Sequence, residues 1–327
     1  MTRATASTSP AGGPPREPAA RNRDARRLDS EPPFRSRPFL PFGALAALIS
    51  CGLLTCLLEL LFFALFLGKT GQNRGETEVC RRGTMAASKP IIIAGAARTP
   101  LGSFGGALSG LSCTELGSFA IEGALRRVRC TKASEDTVRA SVEEAIVGNV
   151  LSAGLGQAPA RQAALGARLK TETCCTTVNK VCSSGLKTVT YAVQSITLGD
   201  ASCVVAGGME SMSRVPYYLP MNRGEAKYRM GDKQVWDGMI KDGLWDPYDN
   251  VHMGNCGEKC AKEFAITRQE QDDFSIESLR RALRSHREGK FKGEIEPVEV
   301  RAGRHTKVVA ADEPLENLSE INEDKIR

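Results

Sequence analysis

Asn179-Lys180-Val181-Cys182-Ser183-Ser184-Gly185-Leu186-Lys187 is the stretch of this sequence whose residue types could do chemistry. A β-branched segment, Thr176-Thr177-Val178, runs into it, and a helical pattern follows. That order predicts a strand, a tight turn and a helix start, with Cys182 at the turn. Unpaired N–H groups and the dipole at a helix start favour an anion, which lowers the pKa of a thiol placed there. Ser183, Ser184 and Gly185 are small and leave room for a bulky substrate. A thiolate attacks thioesters and carries the acyl group as a covalent intermediate. The competing reading is packing, because cysteine is among the most buried residue types and a cysteine at a strand-to-helix junction commonly fills space.

The elements that would position Cys182 follow from periodicity. Ile91 to Ala96 is a short continuous apolar run, as a buried strand requires. Arg98 to Gly106 is a Gly-rich loop without the Gly-Lys-Ser/Thr of a phosphate-binding P-loop. Helices are predicted over Thr114–Val128, Pro159–Leu169 and Ser183–Thr197, the second with its proline in the first turn, where a missing N–H costs little. Strands are predicted over Glu144–Val150, Thr176–Lys180 and Cys203–Ala206. This alternation specifies an α/β domain with a largely parallel sheet. Sites in such sheets sit at strand C-termini, where Cys182 falls. Glu210 to Gly254 breaks the rhythm and is too long for a plain connection, which points to a functional loop. Thr267-Arg268-Gln269-Glu270 has the form of a capping box opening a long helix. Ile295–Val300 reads as a strand, and Ala311–Arg327 as a solvated loop or the middle of a larger element.

The chain has 327 residues and a net charge of +6, enough for one large domain or two. A hydrophobic content of 41% and a charged content of 25% are those of a globular protein. The basic excess is concentrated near the N-terminus, and no Lys/Arg patch interleaved with aromatics suggests nucleic acid. The 11 cysteines are scattered without a C-x-x-C pair. Cys256 and Cys260 lie four apart on a predicted helix with only His252 nearby, so no metal site is expected.

The N-terminal region differs in kind. Residues 1–38 are rich in Pro, Arg, Ala and Ser and cannot bury a core, so a disordered leader is expected. Residues 39–68 are an apolar run long enough for a single-pass transmembrane helix. Glu59 interrupts it at a cost of about 2.5–3.5 kcal/mol, which the many Leu and Phe residues can offset. Residues 69–88 would be a linker. The leader and run are too long for a cleaved signal peptide, and Asp24, Asp29 and Glu31 disfavour a mitochondrial presequence.

Asn179–Lys187 resembles the nucleophile segment of the thiolases, and Val204-Val205-Ala206-Gly207-Gly208-Met209-Glu210-Ser211-Met212-Ser213 resembles the second signature of that family. Arg98–Gly106, Gly148-Asn149-Val150, Gly156–Gln162 and His252-Met253-Gly254 match further family motifs, in family order. Lys180-Val181 and His252-Met253-Gly254 look more like the acetoacetyl-CoA class, the acetyl-CoA acetyltransferases, than the long-chain class. The resemblance implies an α/β thiolase fold, an N-terminal α/β half with a loop-domain insertion: the N-terminal α/β domain over residues 89–210, the loop-domain region and the incomplete end of the N-terminal half over 211–327, and the C-terminal half absent.

The same resemblance implies that Cys182 carries the acetyl group in ping-pong transfer between acetyl-CoA and acetoacetyl-CoA. It places His252 beside the acyl pocket and pantetheine channel, and Met253 in the acyl-pocket wall. On residue type alone, His252 is as readily structural and Met253 as readily core. Coenzyme A thioesters are the implied substrates, with no tightly bound cofactor and, since Leu279 replaces a tyrosine of some members, no potassium site. A homo-oligomer is implied where the fold is complete. Asn-Glu-Ala-Phe, Gly-His-Pro and Cys-x-Gly-Gly-Gly do not occur in the sequence. In the family these supply an oxyanion asparagine, the activating histidine and a second cysteine, so the chain alone is expected to be inactive. The alternative is a catalytically silent, membrane-tethered half that binds a partner. Met85-Ala86-Ala87-Ser88-Lys89-Pro90-Ile91 also looks like the start of a soluble thiolase, which would make the protein cytoplasmic.

Overall fold

Continuous apolar runs suit strands covered on both faces, and the structure uses them so. The computed structural model describes residues 63–68, 90–128, 132–219 and 231–326. They fall within one unit of the chain, Pro41–Arg327. Five strands form the main sheet: β1 (Phe63–Gly68), β2 (Ile91–Ala97), β3 (Glu144–Gly148), β4 (Cys174–Val178) and β5 (Cys203–Gly208). Their order is β2-β1-β5-β3-β4. β3 runs parallel to β4 and β5, while β1 runs antiparallel to β2 and β5.

Alternate residues of the central strands enter two cores. Ala145 and Val147 of β3 join Cys203 and Val205 of β5 on one face. Ile146, Val204 and Ala206 face the other. Helix α1 (Cys113–Arg126) covers the first face with Leu116, Ala120, Ile121 and Ala124. Its Ser112–Glu115 capping box fixes where it begins. Helix α2 (Glu135–Ser141), which sequence periodicity does not predict, is only seven residues long and buries little beyond Val138 and Arg139, too few positions to show a period. Helix α3 (Pro159–Gly166) joins α1 through Ala160, Ala163 and Ala164. Helix α4 (Ser184–Leu198) covers the second face through Ala192, with Val189 and Ile196 beside it.

The expected membrane-spanning helix is corrected at its C-terminal end. Phe63–Gly68 is extended and lies inside the sheet, because its backbone pairs with a strand on either side. Residues 39–62 of that expectation, with the leader and the whole linker, lie outside the described residues. Among the described residues no helix is long and apolar enough to cross a membrane.

Residues 210–254 contain two-residue ladders, Tyr217–Tyr218 with Trp236–Asp237 and Trp245–Asp246 with Val251–His252. Helix α5 (Met253–Glu263) follows, then α6 (Arg268–Arg287), whose Thr267–Glu270 capping box forms as its sequence predicts. The strand expected at Ile295–Val300 begins later, at Val298, and pairs through Ala302 with a second strand, His305–Val309.

The Gly-rich loop is held by the far end of the chain. Arg98, only 2% exposed, donates to both carboxylate oxygens of Asp312 at 2.7 and 3.0 Å and to Glu294 at 2.7 Å. Its guanidinium carbon lies 5.3 Å from the centre of the Phe291 ring. The Glu313 carboxylate accepts from the backbone N–H groups of Ser103 and Ala107. A Cβ on Gly106 would stand 2.3 Å from that carboxylate, so any larger residue there would displace the Glu313 side chain. The loop's amides therefore serve an internal anion, and the segment after Ala311 is an anchor rather than a solvated loop.

Candidate active site

Three strands end at one place. β3, β4 and β5 are parallel and finish together at Gly148, Val178 and Gly208. The chain leaving β4 makes the Asn179–Ser183 turn and enters α4. The helix start sits directly on the strand ends because glycines allow it. A Cβ on Gly148 would lie 2.7–2.8 Å from atoms of Ser184 and Gly185, and Gly208 packs against Gly185.

Cys182 is exposed on this turn, as a nucleophile requires and a packing cysteine does not. The helix N-cap is Ser183, so Cys182 precedes the cap by one residue. Hydrogen bonds fix the turn at each step. Val181 N–H donates to Asn179 Oδ1 at 2.9 Å, and Lys180 N–H donates to Ser184 Oγ at 2.8 Å. Ser184 Oγ–H in turn donates to the Val181 carbonyl at 2.6 Å. Val181 itself has φ of +48°, a left-handed conformation that is sterically costly for a β-branched residue. This strain lies immediately before the cysteine.

Asn149 and Glu210, motif residues to which the sequence alone assigns no role, tie the strand ends together. Asn149 Nδ2 donates to Glu210 Oε1 at 2.9 Å and to the Met209 carbonyl at 3.2 Å. Val150 N–H donates to Glu210 Oε2 at 2.8 Å, and Leu151 N–H reaches both carboxylate oxygens at 3.3 Å. Burial pushes the Glu210 carboxyl above the usual carboxylate range, and these donors only partly offset it. Asn149 Oδ1 is buried without a hydrogen-bond partner. The signal for these two residues was present, since both stand at strand C-termini in motif contexts.

His252 is exposed and caps α5, its Nδ1 accepting from Gly254 N–H at 3.1 Å. Met253 begins that helix and is half-exposed rather than core. Among the described residues no hydrogen bond joins His252 or Met253 to Asn179–Lys187. Met209 is buried against α1 at Gly117. Cys256 and Cys260 are half-buried free thiols, and the described residues hold no cluster of three metal-ligating side chains.

The family model described as thiolase, N-terminal domain, matches residues 91–325. The chain belongs to the thiolase family. It is 48% identical over 239 residues to acetyl-CoA acetyltransferase 2 of Arabidopsis thaliana, a match covering 73% of this chain and 57% of the relative. It is 50% identical over 239 residues to acetyl-CoA acetyltransferase of Schizosaccharomyces pombe, covering 72% and 58%. Among solved structures it resembles the Acat5 thiolase from Ascaris suum in complex with coenzyme A, with a TM-score of 0.62 and 39% identity over 71% of this chain and 56% of that one. The chain spans little more than half the length of these thiolases. The α/β thiolase fold expected from the motifs is the fold observed.

Proposed function

We propose that this thiolase chain takes part in acyl transfer between coenzyme A thioesters, with Cys182 as the acyl-carrying nucleophile and acetyl-CoA and acetoacetyl-CoA as substrates. The observation that carries this reading is the exposure of Cys182 on a strained, hydrogen-bonded turn at the ends of three parallel strands. The acetyl-CoA acetyltransferase relatives and the coenzyme A-bound structural neighbour support the substrate class. The Cys182 sulfur attacks the thioester carbonyl carbon, the carbon–sulfur bond to coenzyme A breaks, and the departing coenzyme A sulfur takes up a proton. A second acetyl-CoA then loses an α-proton, its enolate carbon attacks the acetyl-enzyme carbonyl, and the new carbon–carbon bond gives acetoacetyl-CoA while the Cys182 sulfur leaves and regains a proton. The backbone N–H of Cys182 would stabilise the oxyanion of the first step.

Residues 211–327 serve in this reading as the loop-domain region over the site, with His252 and Met253 toward the pantetheine and acyl group. No cofactor is tightly held. The exposed Val181, Leu186, Tyr191 and Leu198 around the turn and along α4 are surfaces for further protein, consistent with a homo-oligomer.

The test incubates purified 1–327 with acetyl-CoA and maps acetylated cysteines by peptide mass, using exposed Cys174 as an internal control. Acetyl on Cys182 in clear excess over Cys174, abolished in Cys182→Ser, is expected. Acetylation no greater at Cys182 than at Cys174 overturns the assignment. Acetoacetyl-CoA thiolysis by this polypeptide is expected to be undetectable, because the motifs for the base and second cysteine are not in it.

A further inference from the structure

β1 is an unusual member of the sheet. It is an interior strand, antiparallel to both neighbours, and it lies outside residues 91–325, the part that matches the family. Among the described residues β2 pairs with no other strand of the sheet, so there β1 is its sole link to β5. Strands pair at about 4.8 Å, so without β1 the gap between β2 and β5 would be about 10 Å, too wide for hydrogen bonds. The facing backbone edges of β2 and β5 would then be unpaired beside a buried core, since Val204, Val205 and Ala206 have no exposed surface.

We propose that Phe63–Gly68 is a substitute strand, by which this chain closes, with its own N-terminal apolar run, a sheet that its family-matched region leaves open between β2 and β5. The sequence suits the slot. Phe-Ala-Leu-Phe-Leu-Gly has no charge and no proline, as a strand hydrogen-bonded on both edges suits. The register is defined on both sides: Ala64 to Leu67 stand opposite Ala206 to Cys203, and Phe63 to Gly68 run opposite Ala97 to Ile91. One irregularity, between Leu65 and Phe66, skips Ala94 and absorbs the extra residue of β2. The apolar segment Phe63–Gly68 thus stands inside the sheet, with its backbone paired on both sides. This inference is independent of the acyl-transfer reading.

Two measurements on the full chain test it. In hydrogen exchange followed by mass spectrometry, the amides of 63–68 should be as protected as those of 203–208. Exchange of 63–68 at the rate of an unfolded segment, with 203–208 protected or not, overturns the proposal. In a second experiment, Leu67→Cys places a thiol opposite the native Cys203, within the Cα separation that a disulfide spans. Mild oxidation should give a 67–203 cross-link, absent from a Leu67→Cys/Cys203→Ala control. The neighbouring Phe66→Cys, which alternation puts on the opposite face of the strand, should not link to Cys203. No 67–203 link, or an equal yield from Phe66→Cys, overturns the register and with it the proposal.

Discussion

Asn149 and Glu210 lie 2.9 Å apart, amide nitrogen to carboxylate oxygen, and bind the end of β3 to the end of β5 where the first turn of α4 rests. The carboxylate is held by backbone donors yet raised in pKa by burial from an ordinary value of 4.5. A carboxyl whose folded pKa exceeds its unfolded pKa binds protons more readily when folded, so its contribution to stability grows as pH falls through that interval. The urea midpoint of the wild type should therefore rise relative to Glu210→Gln as pH is lowered from neutrality toward 4.5. A difference that stays flat, or moves the other way, would show that Glu210 is ionised without penalty.

Val181→Gly should stabilise the fold. Strain at a left-handed non-glycine residue is worth about 1–3 kcal/mol, against an entropic cost of about 0.5–1 kcal/mol for introducing glycine. A net gain of about 1 kcal/mol in urea unfolding is expected. A loss of similar size would mean that the valine side chain contributes contacts that outweigh its backbone.

Ser184→Ala removes the acceptor for Lys180 N–H and the donor to the Val181 carbonyl. Because Ser184 is buried, the orphaned groups should cost about 1–3 kcal/mol. The same unfolding experiment reads this, and a neutral result would assign the turn's rigidity to Asn179 instead.

Asp312→Ala leaves the buried Arg98 guanidinium with Glu294 as its remaining charged partner. Breaking a buried pair from one side typically costs about 3–5 kcal/mol. Asp312→Asn, which keeps one acceptor for Arg98 and for Leu101 N–H, should cost less. Equal midpoints for both variants would contradict the pairing as the source of the effect.

The parts of the fold that were legible in the sequence had strong local signals. The apolar runs at Ile91, Glu144 and Cys203 and the Thr267–Glu270 box each became the expected element. Phe63–Gly68 differs from its sequence expectation because an uncharged apolar run suits both a bilayer and an interior strand, and only its partners decide. Those partners are distant in sequence. At the candidate site, the place of Cys182 on a turn before a helix was legible from its small neighbours and the β-branched run that precedes it. The strain at Val181 and the Asn149–Glu210 bond were not, since one is a backbone angle and the other joins residues 61 positions apart. His252 was legible as a motif residue, but its bond to Gly254 N–H as a helix cap was not.

The clasp between Arg98 and Asp312 also sets a clock for synthesis. The two residues are 214 positions apart. At about 5–20 residues per second, Arg98 leaves the peptidyl-transferase centre about ten to forty seconds before its partner is made. During that interval the Gly-rich loop lacks Asp312 and Glu313, and its amides and the guanidinium remain in water. The loop therefore settles only after residue 312 has been made, although it follows the first strand of the family-matched region.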